Sequence, residues 1–274
     1  MIEQNTPEWL EMRKSKVGAS DAPIIMKVSP WKTPYQLWQE KMSLSESQTN
    51  YAMERGHDME PKARVALEQK LGMPLGSKVR LSSKRSWMMA SIDAMSFDER
   101  VIAEIKCPGK ADHETALSGQ VPEKYYPQLQ HQMEVCGVDV AFYFSFYVDD
   151  GTLLTVHRDD EYIKRMLIEE EKFYECMQNF ESPDLLDRDY VYHSDARWAQ
   201  LAQRLKEIKV LQAEEEKIKK ELIEMAAGQN SMGGGIRLSK CMRKGSVDYG
   251  KIPLLQEIDL EPYRKKSTTY WRIS

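Results

Sequence analysis

Two stretches of sequence decide the fold: MMASIDAM (residues 88–95) and VIAEIKC (residues 101–107). Both are short and apolar, with residue types that favour β-strands. The polar residues 96–100 between them are typical of a turn, so the two stretches are predicted to pair as a hairpin. Because side chains alternate along a strand, Glu104 and Lys106 must then point to the same face of the sheet.

Asp93, on the neighbouring strand, can approach that face and bring a second carboxylate to the same place. A carboxylate in apolar surroundings costs free energy unless an opposite charge compensates it. Mg²⁺ is one such compensation, since it prefers one or two carboxylates together with water and substrate phosphate. The alternative is an ordinary ion pair between Glu104 and Lys106 on an edge strand, and the spacing alone does not separate the two.

The bulk composition excludes several classes of protein. The chain has 274 residues, 30% of them charged, and a net charge of −4, which is ordinary for a soluble protein of one or two domains. No apolar run approaches the ~20 residues of a membrane span, and the N-terminus lacks the pattern of a signal peptide. Four scattered cysteines without a CxxC pair argue against a zinc or iron–sulfur site and favour reduced thiols in the cytosol. The common phosphate-loop, dinucleotide and serine-hydrolase motifs do not occur.

Residues 1–190 are predicted to form a mixed α/β domain. Threonine or serine followed by proline marks helix starts at Thr6-Pro7, Ser20–Pro23 and Thr33-Pro34. The remaining predicted elements of this domain are a helix over 51–71, strands between 75 and 107, a loop over 110–121, a helix over 122–136 capped by Gly137, strands over 138–148 and 152–157 joined by a turn at 149–151, and a helix over 159–180.

A second unit is predicted over residues 194–274. It begins with one long charged helix over 196–227, followed by a small α+β segment with a strand at 236–242, a short helix at 252–258 and a final strand at 268–273. The apolar residues of the long helix fall close to a seam, which fits either docking within the monomer or a coiled coil with another chain. Residues 229–274 carry nine Lys/Arg and four Asp/Glu, so this segment is either a solvated basic tail or the site of an anionic partner.

Two helices offer further candidate side chains for the proposed centre. Glu60 lies one turn after Gly56, where it could help to coordinate a metal or be a solvated acid. Gly56 is costly inside a helix, which suggests that another part of the chain approaches it closely. Gln128 and Gln130, on the predicted helix over 122–136, each carry an amide that could hold water or substrate.

Arg13 and Ser20 are candidates for binding phosphate. Ser20 lies at an apparent helix start, where free amides attract anions, and Arg13 on the preceding helix could add a bidentate contact. A serine cap and a surface arginine would explain the same two residues without a function.

Together these residues resemble the lambda-exonuclease-like, or YqaJ-type viral recombinase, family of the PD-(D/E)XK nuclease superfamily. The matching runs, in the family's order and spacing over about residues 5–180, are WLEMR (9–13) with GASD (18–21), GHDME (56–60), ASID (90–93), EIKCP (104–108) and YYPQLQ (125–130). The resemblance implies a central mixed β-sheet flanked by helices. Ile92 stands where the superfamily name has proline, a position that binds no metal.

The resemblance also implies a metal centre. Asp93, Glu104 and the carbonyl oxygen of Ile105 would bind Mg²⁺, for which Mn²⁺ can substitute. Lys106 would position the attacking water or stabilise the charged transition state.

Other residues take supporting roles by the same resemblance. Glu60 would act as an accessory acid and Gln128 would line the centre. Arg13 and Ser20 would hold a DNA phosphate at the 5′ end of a duplex. The role of His57 stays open.

The family implies a cytoplasmic 5′-to-3′ exonuclease, in a bacterial host cell or a bacterium carrying a prophage. It would resect linear double-stranded DNA to give 3′ tails for a phage-type single-strand annealing protein, as a homo-oligomer, by resemblance a trimeric ring, with no membrane association. Two alternatives remain: an endonuclease of the same superfamily, and a non-catalytic DNA-binding or assembly module built on the long helix and the basic segment.

Overall fold

The computed structural model describes residues 4, 6–45, 51–248, 251–256, 258, 260, 263–265 and 268, with the backbone alone for 51–55, 57 and 256. The chain divides into two compact units, residues 1–192 and 193–274. The helices of the first unit are α1 (Pro7–Ser15), α2 (Ala22–Ile25), α3 (Pro34–Lys41), α4 (Tyr51–Leu71), α5 (Lys110–Leu117), α6 (Tyr126–Cys136) and α7 (Asp160–Asn179). Its strands are β1 (Val17–Gly18), β2 (Gly76–Leu81), β3 (Met88–Met95), β4 (Ile102–Lys106), β5 (Val140–Tyr147) and β6 (Asp150–His157).

These strands form one mixed sheet in the order β1-β3-β4-β5-β6, with β2 paired to the other edge of β3. β1 runs parallel to β3, and β4 runs parallel to β5, whereas the β2–β3, β3–β4 and β5–β6 pairs are antiparallel. The predicted hairpin of β3 and β4 is confirmed. β1 and β4 share one edge of β3, since Met89 and Met95 each pair with β2 on the opposite edge.

Helices cover both faces of the sheet. On one face, Leu129 and Met133 of α6 pack against Ile92 and Tyr143. On the other, α4 packs through buried alanine and leucine side chains against Phe144 and its neighbours. The mixed α/β core with flanking helices is therefore confirmed, and it places α6 directly over the face that carries Glu104.

Local sequence signals explain most of the element boundaries. Thr6, Thr33 and Asp159 cap their helices through side-chain oxygens, and Gly137 ends α6 with a φ of 69°. The left-handed conformation at Gly137 carries no Cβ penalty, which is why glycine occupies it.

Two predictions about the secondary structure of the first unit are wrong. Residues 110–121 were expected to be a loop, but Lys110–Leu117 form α5, which buries His113 and Ala116 against the sheet. The turn between β5 and β6 is made by Val148 and Asp149, both with positive φ, rather than by residues 149–151. Gly151 lies in β6, where a Cβ would meet the Phe144 ring at 2.4 Å, so glycine serves close packing there rather than turning.

The second unit is built on α8 (Ala196–Met225), which confirms the long helix and begins at the Asp195 cap. The hairpin of β7 (Ser231–Gly233) and β8 (Ile236–Leu238) follows, and the predicted strand over 236–242 is therefore shorter than expected. Part of the apolar stripe of α8 faces this hairpin: Ile218 and Leu222 line one cavity with residues of β8. A short α9 (Pro253–Gln256) stands in place of the helix over 252–258. The predicted strand over 268–273 falls, except for residue 268, outside the described residues.

Over the residues that the structure describes, no helix combines the length and the apolar character needed to cross a membrane.

His131 is fully buried on α6 and makes two hydrogen bonds through its ring nitrogens. Its Nδ1 lies 2.7 Å from Glu170 Oε1, and its Nε2 lies 3.0 Å from the carbonyl oxygen of Met89. The Met89 carbonyl only accepts, so Nε2 carries a proton, and a second proton lies between Nδ1 and the Glu170 carboxylate. Burial disfavours the charged imidazole, but the neighbouring Glu170 carboxylate raises the pKa of His131 above its usual value.

Glu170→Gln is expected to destabilise the protein most at low pH. The folded pKa of His131 lies above its unfolded value of about 6.5, so the pair contributes fully below that pH and less as the pH rises through the folded pKa. Removing one partner of a buried pair costs about 3–5 kcal/mol. The free energies of unfolding of the variant and of the wild type can be measured with urea from about pH 6 to about pH 9. The difference between them should become smaller as the pH rises. A difference that stays constant or widens would contradict a protonated His131.

Candidate active site

Backbone pairing between β3 and β4 stops just before the charged residues. Ala94 pairs with Ala103 and Met95 with Ile102, but the ladder goes no further towards Asp93 and Glu104. The next amide of β4 is instead satisfied by a side chain: Ile105 N donates to Asp93 Oδ2 at 3.0 Å. The carboxylate of Asp93 therefore lies between the two strands, where a ladder hydrogen bond would otherwise be.

A β-bulge in β3 accompanies this opening. Gly76 of β2 pairs with Met95 and Lys78 pairs with Ile92, so two steps along β2 correspond to three along β3. A bulge shifts the alternation of side chains by one residue and re-aims the residues within it. Ile92 and Met95 consequently pack on the same side of the sheet, and Asp93 lies in the re-aimed segment between them.

Only 1% of Glu104 is exposed to solvent. Both of its carboxylate oxygens accept hydrogen bonds from side-chain amides of α6. Gln128 Nε2 donates to Oε1 at 2.6 Å, and Gln132 Nε2 donates to Oε2 at 2.5 Å. Lys106 Nζ lies 2.5 Å from Oε1, which confirms that Glu104 and Lys106 share a face. The pair is therefore not an ordinary ion pair at the protein surface, because its acid is almost completely out of solvent.

The charges of this group shift one another's protonation. Burial and the negative charge of Glu104 raise the pKa of Asp93 well above its ordinary value, and the charge of Lys106 and the Ile105 hydrogen bond only partly oppose this. Burial disfavours the charged form of Lys106, but Glu104 and Asp93 more than compensate and raise the pKa of the lysine. Lys106 therefore keeps its positive charge, whereas a negative charge on Asp93 is only partly compensated by its surroundings.

Glu60 approaches from α4, in the helix layer on the other face of the sheet. Its negative charge is close enough to contribute to the raised pKa of Asp93, and its own carboxylate accepts a hydrogen bond from Arg64 Nη2 at 2.6 Å. The expected close approach at Gly56 is wrong within the described residues, which leave nothing within 4 Å of a Cβ there. The side chain of His57 lies outside the described residues.

The oxygen atoms of Asp93, Glu104 and Ile105 are suitable ligands for a hard divalent cation. Asp93 and Glu104 supply carboxylates and Ile105 a peptide oxygen, the ligand types that Mg²⁺ prefers, and the raised pKa of Asp93 indicates negative charge that a cation would neutralise. Among the side chains that the structure describes, no three acidic, histidine or cysteine groups are arranged to hold an ion by themselves. The Ile105 carbonyl is therefore the third protein ligand that the set would need.

Arg13 and Ser20 are brought together as predicted. Arg13 Nη2 donates to Ser20 Oγ at 3.0 Å, and the guanidinium lies 4.8 Å from the centre of the Trp9 ring. Arg13 Nη2 is also 3.8 Å from Asp21 Oδ1. The pair offers one hydroxyl and part of a guanidinium at the surface, which is a suitable arrangement for an anionic oxygen.

A buried ion pair that the sequence analysis missed supports Arg13 and Ser20. Lys41 Nζ lies 2.5 Å from Asp21 Oδ2 and donates to the carbonyl oxygens of Arg13 at 2.6 Å and Lys16 at 2.8 Å. Asp21 also accepts from the amide of Gly18 at 2.8 Å. Burial alone would raise the pKa of Asp21, but Lys41 and Arg13 lower it, so the carboxylate stays charged. Lys41 thereby fixes the end of α1 to the segment that carries Ser20.

Gln132, rather than the predicted Gln130, contacts Glu104. Gln130 Nε2 donates to the carbonyl of His157 at 3.0 Å, and its Oε1 accepts from the amide of Asp159 at 2.9 Å. Gln130 therefore links α6 to the end of β6 and does not contact Glu104. Gln132, which was not singled out, does. The spacing in the sequence could have predicted this contact, because Gln132 follows Gln128 by four residues and therefore lies on the same helix face.

Lys41→Met is expected to destabilise the first unit by about 3–5 kcal/mol, because it leaves the Asp21 carboxylate buried without its partner. Chemical unfolding measures the change. Lys172→Met is the matched control, since Lys172 pairs with Glu169 at the surface of α7 and such pairs contribute at most about 1 kcal/mol. Equal effects of the two substitutions would refute the structural role given to Lys41.

Comparison with known proteins shows what this chain is similar to. Residues 8–139 match the YqaJ-like viral recombinase domain. The uncharacterized protein YqaJ of Bacillus subtilis (strain 168) is 29% identical over 180 residues, which are 63% of this chain and 56% of that protein. The chain thus matches little more than half the length of this curated relative.

Among solved structures, the chain is similar to an alkaline exonuclease (LHK-Exo) from Laribacter hongkongensis, with a TM-score of 0.56 and 25% identity over 64% of this chain and 93% of that one. The structure of LHK-Exo in complex with dAMP matches equally well. The similarity predicted from the sequence motifs is confirmed, since residues 8–139 match the model of the YqaJ-like viral recombinase domain.

Proposed function

We propose that this protein is a Mg²⁺-dependent deoxyribonuclease that degrades one strand of linear duplex DNA from 5′ to 3′ and leaves 3′ single-stranded tails. The observation that carries the proposal is the group of Asp93, Glu104 and Lys106. It combines a buried glutamate, an aspartate with a raised pKa and a permanently charged lysine at one opening of the sheet. The similarity to an alkaline exonuclease supports the same chemistry.

Each side chain has a distinct part in hydrolysis of a phosphodiester. Asp93, Glu104 and the Ile105 carbonyl would hold the divalent cation, which when bound supplies Lewis-acid polarisation of the phosphate and activates the nucleophile. Lys106 places a fixed positive charge where negative charge develops in the transition state. Gln128 and Gln132 fix both oxygens of Glu104, so its orientation is set before substrate binds. Glu60, whose charge reaches Asp93, serves as the accessory acid.

Arg13 and Ser20 would bind a phosphate of the DNA, in this proposal the 5′-phosphate of the strand being degraded. Their 3.0 Å contact presents a hydroxyl and a guanidinium together, and Lys41 holds the Arg13 carbonyl and the side chain of Asp21, the residue after Ser20. A fixed anchor for the 5′ end would direct digestion from that end. The 3′ tails would be taken over by a phage-type annealing protein, and assembly of several copies around the duplex would keep the enzyme on its substrate.

Digestion of linear duplex DNA labelled separately at each 5′ and 3′ end tests the proposal. With Mg²⁺ the 5′ label should be released first as a mononucleotide, and chelation of the metal should stop release. Glu104→Gln and Lys106→Met should each lower the rate by about 100-fold or more, because they remove a ligand and a fixed charge from the centre. Circular dichroism should show both variants folded.

The other outcomes contradict the proposal in distinct ways. Cleavage of closed circular duplex at the same rate would indicate an endonuclease. Metal-independent binding of DNA without cleavage would indicate an assembly module. Near wild-type cleavage by both variants would remove the assigned centre.

Gln132→Leu is expected to lower the rate of cleavage by about 10-fold or more, because one oxygen of Glu104 would be left buried without its donor. Gln130→Leu is the matched control: it changes the same residue type two positions away, but its amide contacts His157 and Asp159 instead. Steady-state rates at saturating DNA compare the two. A larger loss of rate in Gln130→Leu than in Gln132→Leu would contradict the role of Gln132.

A further inference from the structure

Trp31 is a large aromatic side chain with 60% of its surface exposed, in the loop before α3. Burial of such a ring normally stabilises a fold. An indole that stays exposed to solvent therefore contributes little to the free energy of folding. The exposed ring is instead available to a ligand with a flat aromatic face, and the groups around Trp31 determine which ligand fits.

The loop that carries Trp31 is held firmly on the protein. Arg188 Nη2 donates to the carbonyl oxygens of Ser29 at 3.0 Å and of Lys32 at 2.8 Å, on either side of the tryptophan. Thr33 donates to Asp189 Oδ1 at 2.6 Å from the N-cap of α3. An aromatic ring on a fixed backbone loses little conformational entropy when a ligand stacks on it.

Ring contacts connect Trp31 to the candidate active site. The Trp31 and Tyr125 ring centres are 6.3 Å apart, and Tyr125 stacks on Tyr143 at 5.8 Å. Lys106 Nζ lies 5.4 Å from the centre of the same Tyr125 ring. Tyr125 therefore links Trp31 to Lys106 through one ring contact and one cation–ring contact.

A second lysine lies beside the Trp31 and Tyr125 rings. Lys124 Nζ lies 4.8 Å from the Trp31 ring centre and 5.5 Å from that of Tyr125, and Asp112 holds it at 2.8 Å. Aromatic rings next to cations are the combination that binds single nucleotides of a DNA strand, because the ring stacks on the base and the cation attracts the phosphate.

We propose that Trp31 and Lys124 form a base-stacking subsite that holds one unpaired nucleotide of the DNA strand near the scissile phosphodiester. The subsite rests on the proposed nuclease function for its substrate class. It adds a contact to the base, whereas the carboxylates, Lys106, Arg13 and Ser20 would all act on phosphate. Every base has an aromatic face, so the subsite would be tolerant of sequence.

The test uses linear duplex DNA with the fluorescent base 2-aminopurine at each of the terminal positions in turn, bound in EDTA so that no cleavage occurs. In wild type, stacking on Trp31 should quench the fluorescence at one position. Trp31→Ala should abolish this quenching and raise the dissociation constant by about 5- to 150-fold, the range for loss of one base–aromatic stack. Trp31→Phe should retain most of both, because phenylalanine also stacks.

Phe97→Ala is the matched control, since Phe97 is a fully exposed aromatic of the same unit, in the turn between β3 and β4. It should leave both the quenching and the affinity unchanged. An abasic site at the quenched position should weaken wild-type binding by the same factor as Trp31→Ala, and the two changes together should cost no more than either alone.

The outcomes separate the subsite from the nuclease. Independent, multiplying effects of Trp31→Ala and the abasic site, or wild-type affinity and quenching in Trp31→Ala, would overturn the subsite even if the protein cleaves DNA. Quenching that depends on Trp31 in a protein that does not cleave with Mg²⁺ would support the subsite and overturn the proposed function.

Discussion

Backbone hydrogen bonding between β3 and β4 ends at Ala94 and Ala103, and a carboxylate takes the place of the next ladder bond. Two central strands of a sheet would normally satisfy each other's amides along their whole length. Here β1 and β4 share one edge of β3. A bulge in β3 lets the Asp93 side chain lie between β3 and β4. The opening is therefore part of the architecture of the sheet. It lets one side chain hold the amide of Ile105 while its carboxylate approaches Glu104.

Burial of negative charge is the constraint that organises the residues around this opening. Glu104 is almost completely buried, and two amides and a lysine satisfy its oxygens. Asp93 has one backbone donor, and its pKa is raised because compensation there is incomplete. The same principle applies at Asp21, where the charges of Lys41 and Arg13 outweigh burial and the pKa is lowered. The two aspartates thus differ in a way that suits Asp93 for binding a cation and Asp21 for fixing structure.

How far the sequence predicts this arrangement depends on the range of the signals. Strand alternation and helix caps, such as Thr33 and Gly137, correctly predict the hairpin and most helices, because they act within a few residues. The bulge at Asp93 breaks the alternation, so its effect is visible only in the folded sheet. Lys41 resembled an ordinary lysine at a helix end, since nothing in its neighbourhood encodes a carboxylate brought by another segment.

Titration with Mn²⁺ followed by electron paramagnetic resonance tests most directly whether the carboxylates at the opening of the sheet bind a divalent cation. The wild-type protein should show saturable binding that Mg²⁺ competes away, and Asp93→Asn should lose that binding while remaining folded. Binding of Mn²⁺ to Asp93→Asn with wild-type affinity would contradict a cation site at that opening.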